Sequence, residues 1–366
     1  MTAPGLLTID LIALAENWRA LAQRVAPATC AAVVKASGYG IGVEHAAPAL
    51  FKAGCRIFFV AQASEGLLLR QILPQRDISV YVLNGVEPQA DPRQDYVEQG
   101  LAPAIGSEDE FARWRERAPP DAPFALHVDT GMNRLGFETI AALKAATDRF
   151  GLEGARLLMS HLVSSEIPSD PLNTAQIERF GEARRLLPAL PASISNSSGI
   201  FLATRPHYDM VRPGYALFGG NPTPFALNPM KVVVTLKIAI QQTRWIEAGE
   251  TCGYNAQWTA KRPTRLATLL AGYADGLPRG AGATDARDGA FVEIAGRACP
   301  LVGRVSMDLS IADVTDAPEG EVGPGTLAEL IGPKMPLDTF AARSGTIGYH
   351  VLTSLGLRYT RSVIGA

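Results

Sequence analysis

Lys35 ends a short apolar run and is followed by a segment rich in glycine. The run is Ala32-Val33-Val34, and the segment after the lysine reads Ala36-Ser37-Gly38-Tyr39-Gly40-Ile41-Gly42. This pattern predicts a strand, a tight loop and a helix over residues 43–52. A lysine at the C-terminal end of such a strand faces the edge of the sheet where α/β folds carry their chemistry. Among apolar neighbours a lysine can lose its proton and form a Schiff base, the bond on which pyridoxal phosphate (PLP) enzymes depend.

Four further groups of polar residues follow predicted strands later in the chain. They are His127–Gly136, Ser160-His161, Ser195–Gly199 and Arg212–Tyr215. Taken singly, each group has an ordinary structural explanation, such as a helix cap, an ion pair or a buried histidine. Because active sites of barrel enzymes collect at the C-terminal ends of several strands, the five groups together predict one site.

Some of these residues suit the binding of a phosphate and of a pyridine ring. A phosphate is held by hydroxyls, backbone N–H groups and glycines that allow close approach, which the hydroxyls of Tyr39 and Ser197 and the backbone of Gly214 and Tyr215 supply. Arg212 at a pyridine nitrogen would keep that nitrogen unprotonated, since arginine does not give up its proton.

Strands and helices alternate from residue 31 to residue 212. Apolar runs predict eight strands, at residues 31–35, 56–60, 78–83, 101–105, 124–129, 155–161, 192–196 and 208–212. Helical segments are predicted between them, including residues 65–73, 108–117, 139–150 and 174–187. Eight such units predict a TIM (β/α)8 barrel. A doubly wound open sheet is the alternative, but no Gly-x-Gly-x-x-Gly fingerprint follows the first strand.

The pattern changes after Pro229. Val234, Leu236, Ile238 and Ile240 alternate with less apolar residues, which indicates a half-buried strand. Short strands follow at residues 265–271, 290–294, 309–314 and 327–331, with a helix expected within residues 339–355. We predict a barrel domain at residues 1–228 and a mostly-β domain at residues 229–366, with residues 1–10 forming a strand that joins the β domain.

The composition narrows the function class. The 366 residues carry a net charge of −2, so no basic field favours nucleic acid. The four cysteines lie far apart in sequence, without metal-ligand spacing, and are expected to be free thiols. No signal peptide and no apolar run long enough to span a bilayer is evident, so we expect a cytoplasmic protein that binds no membrane.

The chain resembles the alanine racemases over nearly its whole length. The Lys35 segment is similar to the PLP-attachment motif of the family, with Ser37-Gly38 where an acidic or amide residue and an alanine are usual. Cys252-Gly253-Tyr254, Gly272–Gly276 and Ser306-Met307-Asp308 are similar to family motifs of the C-terminal half. The resemblance implies a PLP-binding barrel, a β domain and a head-to-tail homodimer.

The resemblance also implies roles for individual residues. Lys35 and Tyr254 of the partner subunit would be the two catalytic bases. The implied cofactor-binding residues are Lys35, Tyr39, Arg134, His161, Asn196, Ser197, Arg212, Gly214 and Tyr215. The implied substrate-binding residues are Arg134, which also lies near the phenolic oxygen of PLP, Tyr273 at the entrance and Met307 at the substrate carboxylate.

Three positions depart from the family pattern. His127 stands where several members have a lysine that becomes carbamylated and orients the arginine that Arg134 matches. Ser306 replaces a frequent cysteine. Leu357 stands where some members have a tyrosine that contacts the phosphate, and its smaller side chain would widen the pocket.

We therefore expect a racemase that interconverts L-alanine and D-alanine through an external aldimine of PLP and supplies D-alanine for peptidoglycan. A racemase of serine or larger amino acids is the first alternative. A PLP-dependent decarboxylase should carry a cysteine-centred motif in its β domain, where this chain has Tyr254 and Met307. A non-catalytic PLP-binding regulatory barrel should resemble only the first domain.

Overall fold

The computed structural model describes residues 5–75 and 77–365. Their contacts form two compact units, one from Leu14 to Lys231 and one that combines the described residues up to Ala13 with those from Val232 onward. The predicted domains at residues 1–228 and 229–366 stay a prediction, and residues 1–4 of the predicted N-terminal strand lie outside the described residues.

The unit from Leu14 to Lys231 contains a ring of parallel strands. Seven strands pair in chain order: Ala32–Val33, Ile57–Val60, Ser79–Val82, Leu101–Ile105, Phe124–His127, Ala155–Met159 and Ala192–Ser193. The eighth, Met210–Val211, pairs with Thr29–Cys30. Backbone hydrogen bonds from Asp209 N to Ala192 O and from Arg212 N to Ser195 O join it to the seventh strand. The ring is thereby closed, which confirms the predicted (β/α)8 barrel.

Helices of several kinds follow the barrel strands. Helix Leu11–Val25 precedes the first barrel strand. The α-helices after later strands are Val43–Ala53, Ala63–Ile72, Glu108–Arg117, Ile140–Phe150 and Pro171–Leu186, and a π-helix spans Pro92–Val97. After the seventh and eighth strands only short 3-10 helices form, at Gly199–Phe201 and Tyr215–Phe218. Apolar strand residues such as Phe58, Leu126 and Leu158 are fully buried, so the barrel is a packed core that presents its loops at one end.

The second unit is built on one long strand, Val234–Ile246. The predicted alternation is confirmed, since Val234, Leu236, Ile238 and Ile240 are all buried. The strand pairs with Gly5–Asp10 and Leu327–Ile331, and past an irregularity after Ile240 it pairs with Thr264–Leu269. The remaining strands are Thr251–Cys252, Trp258–Thr259, Phe291–Ile294, Arg297–Pro300, Ser310–Asp313 and Thr360–Ile364.

The C-terminal helical segment is divided in two. Helices Leu337–Arg343 and Gly348–Thr353 replace the single helix expected within residues 339–355, because Gly345 between them adopts a positive φ of 74°. Short 3-10 helices lie at Tyr254–Ala256, Tyr273–Asp275, Arg279–Ala281 and Glu319–Glu321. Within residues 5–75 and 77–365, no helix is both long and apolar enough to cross a membrane.

Candidate active site

The segment after the first barrel strand, where a tight loop is predicted, forms one left-handed helical turn. Helix Lys35–Tyr39 has positive φ angles at Ala36 (52°), Ser37 (52°), Gly38 (61°) and Tyr39 (53°). Each left-handed residue other than glycine costs about 1–2 kcal/mol. Strain of this kind persists where the surrounding structure holds it and is concentrated at functional sites.

Lys35 lies half-buried at the beginning of this turn. Burial lowers the pKa of its ammonium, the positive charge of Arg134 lowers it further, and the negative charge of Glu65 opposes both effects. A larger share of the free amine is therefore present near neutral pH than for an exposed lysine. Free amine is the form that attacks a carbonyl or accepts a proton.

Tyr39, Ser197 and Gly214 form a compact polar cradle. The Ser197 Oγ accepts hydrogen bonds from the backbone N–H groups of Gly214 (3.1 Å) and Ala216 (3.2 Å). The ring of Tyr39 stacks on Phe218 at 4.8 Å, and a Cβ atom at Gly214 would lie 2.1 Å from the Tyr39 hydroxyl oxygen. Glycine is therefore required at 214, and the segments after the first, seventh and eighth strands meet at this cradle.

Arg212 is a buried cation at the end of the eighth strand. It is 3% exposed and donates from Nη1 to Ser193 Oγ and from Nη2 to the Ser160 carbonyl, both at 2.6 Å. Nη2 also lies 3.5 Å from Nδ1 of His161. Burial lowers the pKa of Arg212 to about 10, so it stays charged at neutral pH. Within the described part of the chain no carboxylate forms an ion pair with it.

Two histidines of the site are held neutral. Burial and the charge of Arg212 lower the pKa of His127 to about 4, and its Nδ1 is buried without a hydrogen-bond partner in the described residues. Burial lowers the pKa of His161 well below its ordinary value, with additional effects of the charges of Arg212, Arg134 and Lys35. Three cations from three different strand-end segments therefore act on one imidazole.

The loop after the fifth strand presents Arg134 to solvent. The Asp129 Oδ1 accepts from the N–H groups of Gly131 (2.7 Å) and Met132 (2.8 Å), which fixes the first turn of the loop. Arg134 itself is exposed and forms no ion pair with another described residue. Its charge is available to a bound anion.

The side chain of Asn196 joins its own loop to the loop after the sixth strand. Its Oδ1 accepts from the Ser165 hydroxyl (2.8 Å) and from the Gly199 N–H (2.9 Å). Tyr215 is the first residue of the 3-10 helix Tyr215–Phe218, all of which is buried. Both residues lie beside the cradle in sequence, since Asn196 precedes Ser197 and Tyr215 follows Gly214.

The predicted site residues of the β unit lie on exposed turns. Tyr254 is 64% exposed, Met307 53% and Tyr273 42%. Hydrogen bonds from Tyr273 N to Ser306 O (3.0 Å) and from Ala274 N to Met307 O (2.9 Å) join two of the turns. Asp275 and Asp308, which follow in those turns, both bind Arg358. The unit therefore brings Tyr273 and Met307 together.

Sequence reasoning missed three residues that support the site. The Gln176 Nε2 donates to the His161 carbonyl (3.0 Å), and its Oε1 accepts from Val163 N (2.8 Å). Ser193 binds Arg212, and Glu65 accepts from the N–H of Ala36. Only Glu65 had a sequence signal, as the third residue of a helix after a capping position.

Comparison with known families gives two matches that together span most of the chain. A family described as "Alanine racemase, N-terminal domain" matches residues 9–222, and one described as "Alanine racemase, C-terminal domain" matches residues 233–363. The chain is thus similar to this family through both of its units.

Curated relatives agree with the family matches. "Alanine racemase" of Methylobacterium nodulans is 51% identical, over 98% of this chain and 95% of the relative. "Alanine racemase, biosynthetic" of Agrobacterium fabrum is 41% identical, over 100% and 95%. "Alanine racemase, catabolic" of Mesorhizobium japonicum is 43% identical, over 99% and 94%. The chain therefore covers nearly the full length of each.

A solved structure also matches closely. The alanine racemase from Bartonella henselae, described as having covalently bound pyridoxal phosphate, has a TM-score of 0.90 and 37% sequence identity. The match covers 99% of this chain and 100% of that one.

Proposed function

The chain belongs to the alanine racemase family, and on that premise we propose how its residues interconvert L-alanine and D-alanine. It is a PLP-dependent isomerase. The observation that carries the proposed site is the buried Arg212, whose Nη2 lies 3.5 Å from Nδ1 of His161 at the strand ends where Lys35 and Arg134 also lie. A site with three cations and a hydroxyl-lined cradle suits an anionic cofactor and an amino-acid carboxylate.

The residues of the barrel fit PLP. Lys35, whose pKa burial lowers, would bind it covalently. The Tyr39 hydroxyl, Ser197 and the glycine backbone at 214, with the neighbouring Asn196 and Tyr215, would hold its phosphate. When bound, PLP supplies an electron-withdrawing ring that makes the α-proton of an amino acid acidic.

Arg212 would restrain that electron withdrawal. As a buried cation that keeps its proton, it would donate to the pyridine nitrogen without protonating it. His161, held neutral beside it, would pack against the ring without adding a charge. A weaker electron sink favours quick return of the proton to carbon over side reactions, which is what a racemase needs.

Racemisation requires one proton carrier on each face of the substrate. Lys35, released when substrate takes its place, would remove or deliver the α-proton of D-alanine. Tyr254 of the partner subunit would do so for L-alanine. The 64% exposure of Tyr254 supports a role in contact with a second copy, since exposed aromatic side chains are common at interfaces. The protein would then work as a homodimer with shared sites.

Substrate contacts would come from both subunits. Arg134, exposed and without an ion pair among the described residues, has its charge available near the phenolic oxygen of PLP and the substrate. The partner's Tyr273 would line the entrance, and the partner's Met307 would lie at the substrate carboxylate. Their two turns are joined by backbone hydrogen bonds, so they would move as one element.

The direct test follows the optical rotation of L-alanine with purified protein, with and without added PLP. Loss of rotation that depends on PLP, and that is absent in Lys35→Ala, is expected. Retained rotation with a fully loaded protein would contradict the proposal. A panel of L-amino acids tests the alternative of a racemase with broader specificity. The reason to test it is Leu357, which is 92% exposed and stands where some family members have a tyrosine that contacts the phosphate.

The cellular role belongs to the same proposal. We place the enzyme in the cytoplasm, where it would supply D-alanine for peptidoglycan. Growth of a strain lacking the gene only when D-alanine is provided would support that role, whereas a requirement for the gene only during growth on alanine would favour a catabolic one.

A further inference from the structure

The carboxylate of Glu65 joins two neighbouring segments of the barrel. Its Oε1 accepts a 2.7 Å hydrogen bond from the N–H of Ala36, the residue directly after Lys35. Its Oε2 accepts from the N–H of Ala61 (2.7 Å) and of Gln62 (3.2 Å), at the end of the second strand. One side chain therefore connects the turn that begins at Lys35 to the adjacent strand.

Glu65 supplies the acceptor for the N–H of Ala36. Backbone hydrogen bonds of the turn and its exit include those from Gly38 N to Val34 O, from Gly40 N to Ala36 O and from Gly42 N to Ser37 O, and none of these three uses the N–H of Ala36. Ala36 and Ser37 are left-handed without being glycine, so the turn is strained where it leaves Lys35. A charged acceptor makes one of the stronger hydrogen bonds available to a backbone N–H.

Glu65 also influences Lys35 electrostatically. Its negative charge favours the ammonium form of that lysine, against burial and the charge of Arg134. The group that fixes the backbone beside Lys35 is thus also close enough to act on its amine.

We propose that Glu65 is a positioning residue for Lys35, which holds the left-handed turn in place through Ala36 and so aims the lysine and Tyr39 at the cofactor. This inference rests on the proposed role of Lys35 and adds a residue to it. Glu65 does not react; it fixes the direction from which the amine and the Tyr39 hydroxyl approach.

The barrel offers a matched control in Glu110. It is the third residue of helix Glu108–Arg117, as Glu65 is of helix Ala63–Ile72. Its carboxylate also joins two strand-end segments, by accepting from Val86 N (2.5 Å) and Gly106 N (2.7 Å). Both glutamates are half-buried, but the segments that Glu110 joins contain none of the proposed site residues.

The experiment compares the holoenzymes of Glu65→Ala, Glu65→Gln, Glu110→Ala and Glu110→Gln. Three quantities are measured: the melting temperature, the rate at which hydroxylamine removes PLP, and the circular dichroism of the visible PLP band. We expect lower melting temperatures for all four variants. Only the Glu65 variants should release PLP faster, by about ten- to a hundredfold for Glu65→Ala, the equivalent of one charged hydrogen bond. Their visible dichroism should also fall.

The Gln variants keep the test decisive if an Ala variant does not fold. The amide of Glu65→Gln offers one acceptor oxygen where the carboxylate has two, so faster release than in Glu110→Gln is still expected. Equal release rates and equal visible dichroism in the Glu65 and Glu110 variants would overturn the inference. Lys35→Ala separates this outcome from failure of the proposed function, because a borohydride-reducible PLP adduct at another lysine in that variant would contradict the role of Lys35 itself.

Discussion

The hydroxyl oxygen of Tyr39 lies so close to Gly214 that a Cβ atom at residue 214 would come within 2.1 Å of it. The ring of Tyr39 has little freedom to retreat, since it is buried and stacks on Phe218. The φ of Gly214 is −127°, so the close contact with Tyr39, and not a positive φ, excludes a side chain at this position.

Gly214→Ala should therefore weaken PLP binding. The added methyl group must displace the Tyr39 hydroxyl or the backbone that Ser197 binds, and overpacking of this kind costs about 1–3 kcal/mol. The dissociation constant of PLP, from titration of the apoenzyme followed by visible absorbance, should rise about tenfold or more. Gly181→Ala is the control in the same unit, because its nearest atom would lie at an ordinary 3.7 Å. Equal affinities in the two variants would show that Tyr39 is not part of the phosphate site.

Arg212 should control the balance between racemisation and transamination. Arg212→Glu would offer the pyridine nitrogen a proton and so a stronger electron sink, which prolongs the life of the carbanion. We expect slower racemisation and more pyruvate from alanine, expressed as the ratio of the two rates. Arg212→Lys keeps the positive charge but loses the planar donor pair to Ser193 and Ser160, so it reports the effect of geometry alone. An unchanged ratio in Arg212→Glu would place this arginine away from the nitrogen.

His127 should make the protein less stable in acid. Its pKa is about 4 in the folded protein, against an ordinary value of 6.5, so between these pH values the unfolded chain binds more protons. Stability therefore rises with pH across this window and is lost as the pH falls through it, by up to about 3 kcal/mol from this residue.

His127→Gln should flatten the pH dependence of the unfolding free energy between pH 4 and 6.5, measured by urea titration. His45→Gln, at a half-buried position on helix Val43–Ala53, is the control. A slope equal to that of the wild type in His127→Gln would mean that the imidazole is charged in the folded state.

The barrel was predictable because alternating strands and helices leave a strong trace in sequence. Apolar runs such as residues 57–60 and 124–127 are buried on both sides of the sheet. Their sequence therefore indicates strands even before the pairing of the strands is known. The left-handed turn at Ala36 and Ser37 was not predictable, since neither residue type favours positive φ and the turn is held from outside by Glu65.

The contacts that support the site could not be predicted from the sequence, for a related reason. Gln176 binds the carbonyl of a residue 15 positions away, and Arg212 binds Ser193 at a separation of 19. Such pairs meet only once the barrel has closed, and a single sequence carries no record of them. The roles of Tyr254, Tyr273 and Met307 came from family resemblance, and they stay predictions.

A mixed dimer provides the sharpest test of the shared site. Lys35→Ala lacks the PLP anchor and one base, and Tyr254→Phe lacks the other base, so each homodimer should be nearly inactive. In a dimer of one subunit of each kind, one site collects both defects. The other combines Lys35 of the Tyr254→Phe subunit with Tyr254 of the Lys35→Ala subunit. Co-expression with two different tags, followed by purification on both, should recover about half of the wild-type kcat per dimer, because one site of two works.

The double variant with both changes on one chain, paired with a wild-type chain, decides how Tyr254 acts. If Tyr254 reaches across the interface, the wild-type Lys35 meets phenylalanine from its partner, the other site lacks its lysine, and both sites fail. If Tyr254 acts within its own subunit, the wild-type subunit keeps an intact site and half of the activity remains. A mixed dimer of the single variants that is as inactive as its parents, together with half activity in this pairing, would assign Tyr254 to its own subunit. If the mixed dimer of the single variants and the dimer of double variant and wild type are both inactive, the two subunits must be coupled in some way other than by exchange of Tyr254.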